Sequence, residues 1–301
     1  MKKIVAVFIV AIILPLSAYA GTFEVLNHNS KVNQGGILIV KIADELKDKN
    51  LQLCVFDELY SFNKNGLVFI GINVEQKSDR YILYLMETRD QKQVQYDFYY
   101  THVEILKKEF GPPWYAGAVP KPNKAIEGQR KKEATIKQKA YDSANTAEDY
   151  TEGQFILPFD SVTINDAFGT PRLYGHKNRK TKKIKIKRQV SHAGVDLKAQ
   201  TPLPVKAINS GKVLLARNFP LRGTEGNMLI IDHGSGILSI YLHLSKFKVK
   251  VGNTVTKGQI VAITGKTPRG TPPHLHMMVK INGTNVDPLG FIETFNRYLN
   301  Q

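Results

Sequence analysis

The chain has 301 residues, of which 42% are hydrophobic and 23% charged, so it is long enough for about two domains with proper cores. This composition excludes a wholly disordered chain, a collagen and a multi-span membrane protein. Lys and Arg number 42 against 26 Asp and Glu, and the net charge of +16 predicts an anionic partner: nucleic acid, anionic lipid or an acidic wall polymer. A single Cys excludes an intramolecular disulfide and a cysteine-based metal site.

The first twenty residues have the layout of a secretory signal. Lys2 and Lys3 precede an apolar run over residues 4–16, and Ala18 and Ala20 supply small residues before a cleavage point. The run is short for a permanent membrane span, so we expect a signal peptide at 1–20 and no stable span after its removal. Export predicts the periplasm, or alternatively secretion, and makes a cell-wall partner more plausible than nucleic acid.

Residues 21–110 read as a series of short strands between turns. Such spacing predicts an N-terminal β-sandwich-like domain. The segment contains no recognisable catalytic motif. The predicted strands cover residues 23–26, 37–42, 51–56, 67–72, 81–86 and 94–105.

Residues 111–152 form a predicted linker. Gly111, Pro112, Pro113, Pro120 and Pro122 interrupt regular structure, and a polar stretch over 123–148 then predicts an exposed helix acting as a solvated spacer. From residue 153 to 301 the chain becomes β-rich again, with strands near 205–208, 212–216, 228–232, 237–244 and 260–264, and a short helix over 288–299. This second predicted domain holds six of the eight histidines.

Two histidine motifs in this second domain have the spacing of strand residues that share a face. His192 and Asp196 flank Gly194, which leaves room between them, and His274 and His276 are separated by Leu275. Leu275, Met277, Val279 and Ile281 then form the apolar face of the last strand.

A third strand carries an apolar stripe at Leu238, Ile240, Leu242 and Leu244. Its alternation predicts that Ser239, Tyr241 and His243 point to the opposite side. The three strands would direct several imidazoles and one carboxylate into a common groove.

Two imidazoles and a carboxylate suit Zn²⁺ with an open fourth position, which is the catalytic type of zinc site. The chain has no His-Glu-x-x-His helix, so a glutamate base of that arrangement is excluded. Two further histidines are available for proton transfer and for stabilising an oxyanion.

The ordered motifs from about residue 155 to 290 resemble the M23 metallopeptidases of the LytM and lysostaphin type. They comprise Phe168-Gly169 with Arg172, Ser191-His192-Ala193-Gly194-Val195-Asp196-Leu197, Gly226-Asn227-Met228, Ile231-Asp232-His233-Gly234, Tyr241-Leu242-His243-Leu244-Ser245, Pro273-His274-Leu275-His276, Asn282-Gly283 and Val286-Asp287-Pro288. Within the family the similarity is to Gram-negative periplasmic cell-shape endopeptidases, and residues 21–110 resemble the immunoglobulin-like domain of some exported members.

The resemblance implies roles for individual residues. One Zn²⁺ would be bound by His192, Asp196 and His276. His243 and His274 would act as general base and oxyanion stabiliser, in an order that the sequence leaves open. The expected substrate contacts are Arg172, Tyr174, Asn227 and Tyr241.

The resemblance also implies a mainly β fold and a D,D-endopeptidase that cleaves the peptide cross-links of peptidoglycan, with an accompanying D,D-carboxypeptidase activity. The partners would be stem peptides, cross-links and other cell-wall proteins, in wall remodelling and cell shape. The alternative is a non-catalytic or latent regulator of other wall hydrolases. The presence of all five polar site residues favours the enzyme.

Residues 173–190 depart from the family pattern as a long loop rich in cations, which include Lys177, Arg179, Lys180, Lys182, Lys183, Lys185, Lys187 and Arg188. The default interpretation is a solvated charge run. A sharper hypothesis is that this run draws the enzyme to the carboxylates of stem peptides, an attraction that salt would weaken.

Overall fold

The computed structural model describes residues 22–47, 49–89, 92–118, 124–178, 180–181, 184–200, 202–221, 225–267 and 273–299. The predicted signal peptide at 1–20 lies outside this part of the chain. Within the described part, none of the helices has the length and apolarity that crossing a membrane requires.

The N-terminal strands form two sheets that pack face to face, which confirms the expected β architecture. One sheet has the order β1-β3-β6 and the other the order β2-β8-β7-β4-β5. Leu38, Val40 and Ile70 of the first sheet meet Leu53 and Leu83 of the second in a common apolar layer. The strands are β1 Phe23–Val25, β2 Lys31–Asn33, β3 Ile37–Ile42, β4 Leu51–Val55, β5 Glu58–Ser61, β6 Leu67–Gly71, β7 Arg80–Arg89 and β8 Lys92–Leu106.

The segment between the two β-rich regions contains a strand that the sequence analysis missed, followed by the expected helix. Strand β9, Trp114–Gly117, pairs in parallel with β11, Pro171–Lys177. Helix α1, Lys124–Asp142, ends six residues before the predicted limit of 148, because the side chain of Asn145 accepts the backbone N–H groups of residues 147 and 148 in a turn. Ile136 and Ala140 pack α1 against the large sheet, so the expectation of a solvated spacer is wrong.

The C-terminal region is built on one large antiparallel sheet, whose main path is β10-β13-β20-β17-β16-β15-β18. Strand β19 pairs with β14 and β17, and β21 pairs with β20. The chain ends in helix α2, Pro288–Tyr298, where Asp287 caps the first turn. The strands are β10 Ile164–Asp166, β13 Val195–Lys198, β14 Pro204–Lys206, β15 Gly211–Phe219, β16 Gly226–Asp232, β17 Ile237–Phe247, β18 Thr254–Val255, β19 Ile260–Thr264, β20 His274–Ile281 and β21 Thr284–Val286.

The cation-rich segment predicted as a loop is largely a hairpin. Strand β12, Ile184–Ser191, pairs antiparallel with β11, and the two form a small sheet with β9 in the order β12-β11-β9. Lys185, Lys187 and Arg188 are exposed on β12, which is the edge strand of this sheet. Lysine on an edge strand discourages pairing with other chains, which gives part of this charge a structural use.

Two apolar cores lie on opposite faces of the large sheet. The first packs Leu275, Met277 and Val279 of β20 against α2, and the second covers Leu238, Ile240 and Leu242 of β17 with α1. Both faces of the central strand β17 are therefore buried over most of its length.

The first of these cores continues into the N-terminal sandwich. Ile37, Ile39, Leu67 and Phe69, from β3 and β6, belong to the same cluster as the interior of the large sheet. Phe69 stacks on Phe295 of α2 with ring centroids 5.4 Å apart. The division of the chain near residues 110 and 153 stays a prediction, and an apolar contact crosses it.

Candidate metal centre

Three chain segments bring together the residues that the sequence analysis singled out as metal ligands. Asp196 on β13 pairs directly with His276 on β20. His192 follows the end of β12, and the chain bends at Gly194 before β13 begins. The spacing had predicted one continuous strand for His192 and Asp196, and this is wrong. The two side chains still converge.

Gly194 has the role that the sequence analysis gave it, which is to leave room. A Cβ atom there would lie 2.3 Å from the backbone oxygen of Met277 and 3.0 Å from Nε2 of His276. The bend between the two ligand-bearing segments thus depends on the absence of a side chain.

The donor atoms of the three residues form a compact triangle. Nδ1 of His276 lies 2.6 Å from Oδ1 of Asp196 and 3.0 Å from Nε2 of His192, and Nε2 of His192 lies 3.2 Å from Oδ1 of Asp196. Tetrahedral Zn²⁺ with bonds near 2.0–2.1 Å separates its ligand atoms by about 3.3 Å, so this donor set fits such an ion with little adjustment. Of the described residues, these three form the group of His, Cys, Asp and Glu able to hold a metal.

A second layer of contacts orients these donors. Nδ1 of His192 lies 2.9 Å from the carbonyl oxygen of Ala167, which assigns the ring proton to Nδ1 and leaves the Nε2 lone pair facing the triangle. Burial alone would raise the pKa of Asp196, but the close contacts with the imidazoles of His192 and His276 outweigh it and hold that pKa well below the usual range. Asp196 is therefore ionised, as a metal ligand must be.

Arg172 lies on the outer side of Asp196. Its Nη2 donates to Oδ2 of Asp196 at 3.1 Å and to Oδ2 of Asp166 at 2.5 Å, and its Nε donates to the same Asp166 oxygen at 3.1 Å. Asp166 stands opposite Asp196 in the pairing of β10 with β13. The guanidinium is thus engaged by two carboxylates of the protein, while its proposed contact with a substrate stays a prediction.

His243 reaches the site because β17 carries one extra residue. Between Tyr241 and Leu244 the strand advances three residues while its partner β16 advances two, and His243 has a φ of 63°, a left-handed conformation that is uncommon outside glycine. Regular alternation from Leu242 would direct His243 into the first core. The bulge instead places its ring centroid 4.7 Å from that of His274 and 5.9 Å from that of His276.

The contacts of His243 suit a group that accepts a proton. Its Nδ1 lies 2.7 Å from the carbonyl oxygen of Thr267, so the ring proton sits on Nδ1 and Nε2 keeps its lone pair. Burial, assisted by the neighbouring His274 and His276, lowers the pKa of His243 to about 4. The side chain is then neutral at pH 7.

His274 completes the constellation. Its Nε2 lies 3.7 Å from Oδ1 of Asp196, beyond hydrogen-bonding distance. It shares a strand with His276, two residues away, so both rings lie on the same side of β20. All five polar residues predicted for metal binding and catalysis are therefore neighbours, and their individual roles stay predictions.

The structure corrects the prediction that Tyr241 contacts substrate. Its side chain is 0% exposed, in the first core, and its hydroxyl accepts the N–H of Ile208 at 3.1 Å. Ser239 is buried in the same way. Tyr241 does lie on the face of β17 opposite Leu242, but that face is covered as well, so a substrate contact by Tyr241 is inconsistent with the structure.

The two other substrate candidates have different surroundings. The side-chain amide of Asn227 donates to the carbonyl oxygen of Leu244 at 2.8 Å, and so holds β16 to β17 beside the bulge. Tyr174, on β11, is half-buried beside the cationic hairpin. A substrate contact by either residue stays a prediction.

Three contributors to the site have weak signals in the sequence or none, and were not predicted. Asp166 carries a signal in principle, since it is an acidic residue just before the Phe168-Gly169 landmark. Thr267 acts through its backbone oxygen, which no side-chain motif can reveal. Trp114, whose ring centroid lies 5.5 Å from Cζ of Arg172, is the only tryptophan of the chain and sits among prolines.

Comparison with known proteins agrees with this geometry. Residues 190–288 match the family model of Peptidase family M23. A segment of 112 residues is 39% identical to peptidoglycan DD-endopeptidase ShyB of Vibrio cholerae and covers 37% of this chain and 26% of ShyB. A segment of 108 residues is 39% identical to lysostaphin of Staphylococcus simulans, covering 34% of this chain and 22% of lysostaphin. The matched region thus spans about a quarter of the length of these curated relatives.

A solved structure extends the similarity of fold beyond the matched segment. A crystal structure of a Pseudomonas aeruginosa protein described as a peptidase M23 aligns with a TM-score of 0.54 at 19% identity, over 87% of this chain and 95% of the other. The fold and the His/Asp/His donor set are those of a metallopeptidase-type domain. More particularly, residues 190–288 of this chain match Peptidase family M23.

Proposed function

We propose that the protein is a zinc-dependent peptidoglycan hydrolase that cleaves the D,D peptide cross-links of the cell wall. The observation that carries this proposal is the triangle of His192, Asp196 and His276 donors with two further histidines beside it. The similarity to ShyB, a peptidoglycan DD-endopeptidase, supports the choice of bond. The secretory pattern of residues 1–20 supports action in the periplasm.

The ion, when bound, supplies Lewis-acid activation of a water molecule and of the scissile carbonyl. The chain's own residues do the remaining work. His192 Nε2, Asp196 Oδ1 and His276 Nδ1 would hold the ion, and Arg172 would keep the Asp196 carboxylate from turning. This leaves the side of the triangle next to His243 and His274 for the substrate.

Proton transfer falls to His243 and His274. His243 Nε2 is unprotonated at neutral pH, since Thr267 holds the proton of the other ring nitrogen, and it is positioned to accept a proton from the attacking water. His274 would then donate a hydrogen bond to the carbonyl oxygen as negative charge develops there.

The test is a digest of purified peptidoglycan by the mature chain, with and without a chelator, analysed by mass spectrometry of the released muropeptides. We expect loss of cross-linked dimers, abolished by the chelator and by His276→Ala. His243→Ala should retain zinc and lose about 10²- to 10⁴-fold in rate. His176→Ala, at an exposed histidine of β11, is the matched control. Intact dimers after digestion by zinc-loaded protein would overturn the proposal.

A further inference from the structure

The segment joining the two β-rich regions reaches neighbours of the site residues at two places: β9 contacts Arg172, and α1 contacts Glu225. We infer that this segment is part of the catalytic unit: Trp114 is a positioning residue for the ligand carboxylate of Asp196, and Lys137 is a positioning residue for His243. The inference rests on the proposed zinc peptidase function. Neither residue lies in the segment that matches the M23 family model, 190–288.

Strand β9 holds Trp114 against Arg172. The parallel pairing of β9 with β11 sets Trp114 opposite Arg172, and the hydroxyl of Tyr115 donates to the carbonyl oxygen of Gly175 at 3.1 Å to fix the two strands together. Cζ of Arg172 lies 5.5 Å from the ring centroid of Trp114, within the range of a cation–π contact. The indole therefore covers the face of a guanidinium whose edge is bound to carboxylates.

The guanidinium determines which Asp196 oxygen faces the metal triangle. Arg172 takes Oδ2 of Asp196, and this leaves Oδ1 directed at His192 and His276. Groups that orient a ligand in this way typically change metal affinity by 10- to 100-fold when removed. Trp114 acts one step further out, so a two- to fivefold effect is expected, as for an exposed cation–π contact.

Helix α1 acts on the other side of the site. Lys137 forms an ion pair with Glu225, and both side chains are largely buried. The backbone oxygen of Glu225 accepts the N–H of His243 at 3.2 Å, next to the bulge that turns His243 into the site. Among the described residues, the second carboxylate oxygen, Oε2 of Glu225, is buried without a hydrogen-bond partner, so the ion pair with Lys137 is the compensation they offer for this charge.

The first experiment measures zinc affinity of the mature chain by competition with a chromophoric chelator. We expect Trp114→Ala to weaken zinc binding two- to fivefold and Trp114→Phe to restore most of it. Ile186→Ala, at a residue of similar exposure on β12 of the same sheet, should leave the affinity unchanged. Because Trp114 is the only tryptophan, its fluorescence should also change when zinc is added to metal-free protein, and Arg172→Ala should abolish that response. Unchanged affinity in Trp114→Ala together with a silent fluorescence signal would overturn this half of the inference.

The second experiment separates Lys137 from the metal. Lys137→Met should lower the cleavage rate about tenfold with zinc affinity unchanged, accelerate amide hydrogen exchange at His243, and be rescued by Lys137→Arg. Lys131→Met, an exposed cation on the same helix, is the matched control. Equal cleavage and exchange in the two methionine variants would refute this role.

These measurements distinguish the inference from the proposed function. If the native chain binds zinc, but cleaves no cross-links, the proposed function fails, while the zinc affinity, fluorescence and exchange readouts still decide the inference. If the native chain binds no zinc, both fail.

Discussion

The apolar cluster shared by the sandwich and the large sheet predicts that the two regions unfold together. Phe69 is 2% exposed, stacks on Phe295 at 5.4 Å, and its carbonyl oxygen accepts the side-chain amide of Asn282 at 2.7 Å. Replacing Phe69 by Ala removes a ring and leaves a cavity between two rigid layers. Phe→Ala substitutions of this kind cost about 3–5 kcal/mol, a large share of the roughly 5–15 kcal/mol that stabilises most proteins.

Urea unfolding followed by the fluorescence of Trp114 provides the assay, because this residue reports on the small sheet beside the candidate site and not on the sandwich. We expect Phe69→Ala to move the Trp114 transition to lower urea, by the equivalent of about 3–5 kcal/mol. Tyr100→Ala, at an exposed ring of β8, should leave it within about 0.5 kcal/mol. A Trp114 transition that does not move in Phe69→Ala would refute the shared core, and would show that the C-terminal region is stable by itself.

Three further predictions concern the site, pH and salt. Gly194→Ala forces a Cβ to within 2.3 Å of a backbone oxygen of β20, so zinc affinity should fall by about 1–3 kcal/mol in a chelator competition, while Gly128→Ala, in open space on α1, should not change it. Burial lowers the pKa of His233 from 6.5 to about 4, so the unfolded chain takes up a proton before the folded chain as the pH falls. Stability is then lost between pH 6.5 and 4 at about 1.4 kcal/mol per pH unit, and His233→Asn should remove that contribution to the slope in urea titrations; an unchanged slope would contradict the buried neutral state. Replacing Lys185 and Lys187 by Gln should slow sacculus digestion several-fold at low salt and have little effect near 1 M, whereas the same deficit at both salt concentrations would exclude steering.

Much of the site was accessible from the sequence because its ligands follow the simplest periodicity. His274 and His276 alternate with Leu275 and Met277 on a strand that is apolar on one face, and the structure has this arrangement. Asp196 could be placed beside these histidines on the sole assumption that its strand lies next to theirs. The mostly β architecture followed in the same way from short apolar runs between turns.

The errors arose where tertiary contacts override a local pattern. Tyr241 alternates correctly with its neighbours, but helix α1 and the first core cover both faces of β17, and no local signal reveals that second covering layer. Strand β9 is four residues long and acquires its structure from β11, more than fifty residues later. The cationic hairpin was predicted as a loop because an edge strand with exposed lysines has the composition of a loop.

Because of the bulge in β17, the position of His243 depends on the number of residues in the strand. With the bulge, the imidazole of His243 faces the groove. If the same residues followed Leu242 in regular alternation, the imidazole would face the interior. A substitution alters one contact, but deletion of Leu242 would remove the bulge and put the histidine in the regular position opposite His276, away from its present place beside His274. Variation in length at this point of the strand should therefore be far less tolerated than variation in sequence. Chains that have lost the extra residue would retain the fold and all three metal ligands, with the histidine displaced from the position it has here.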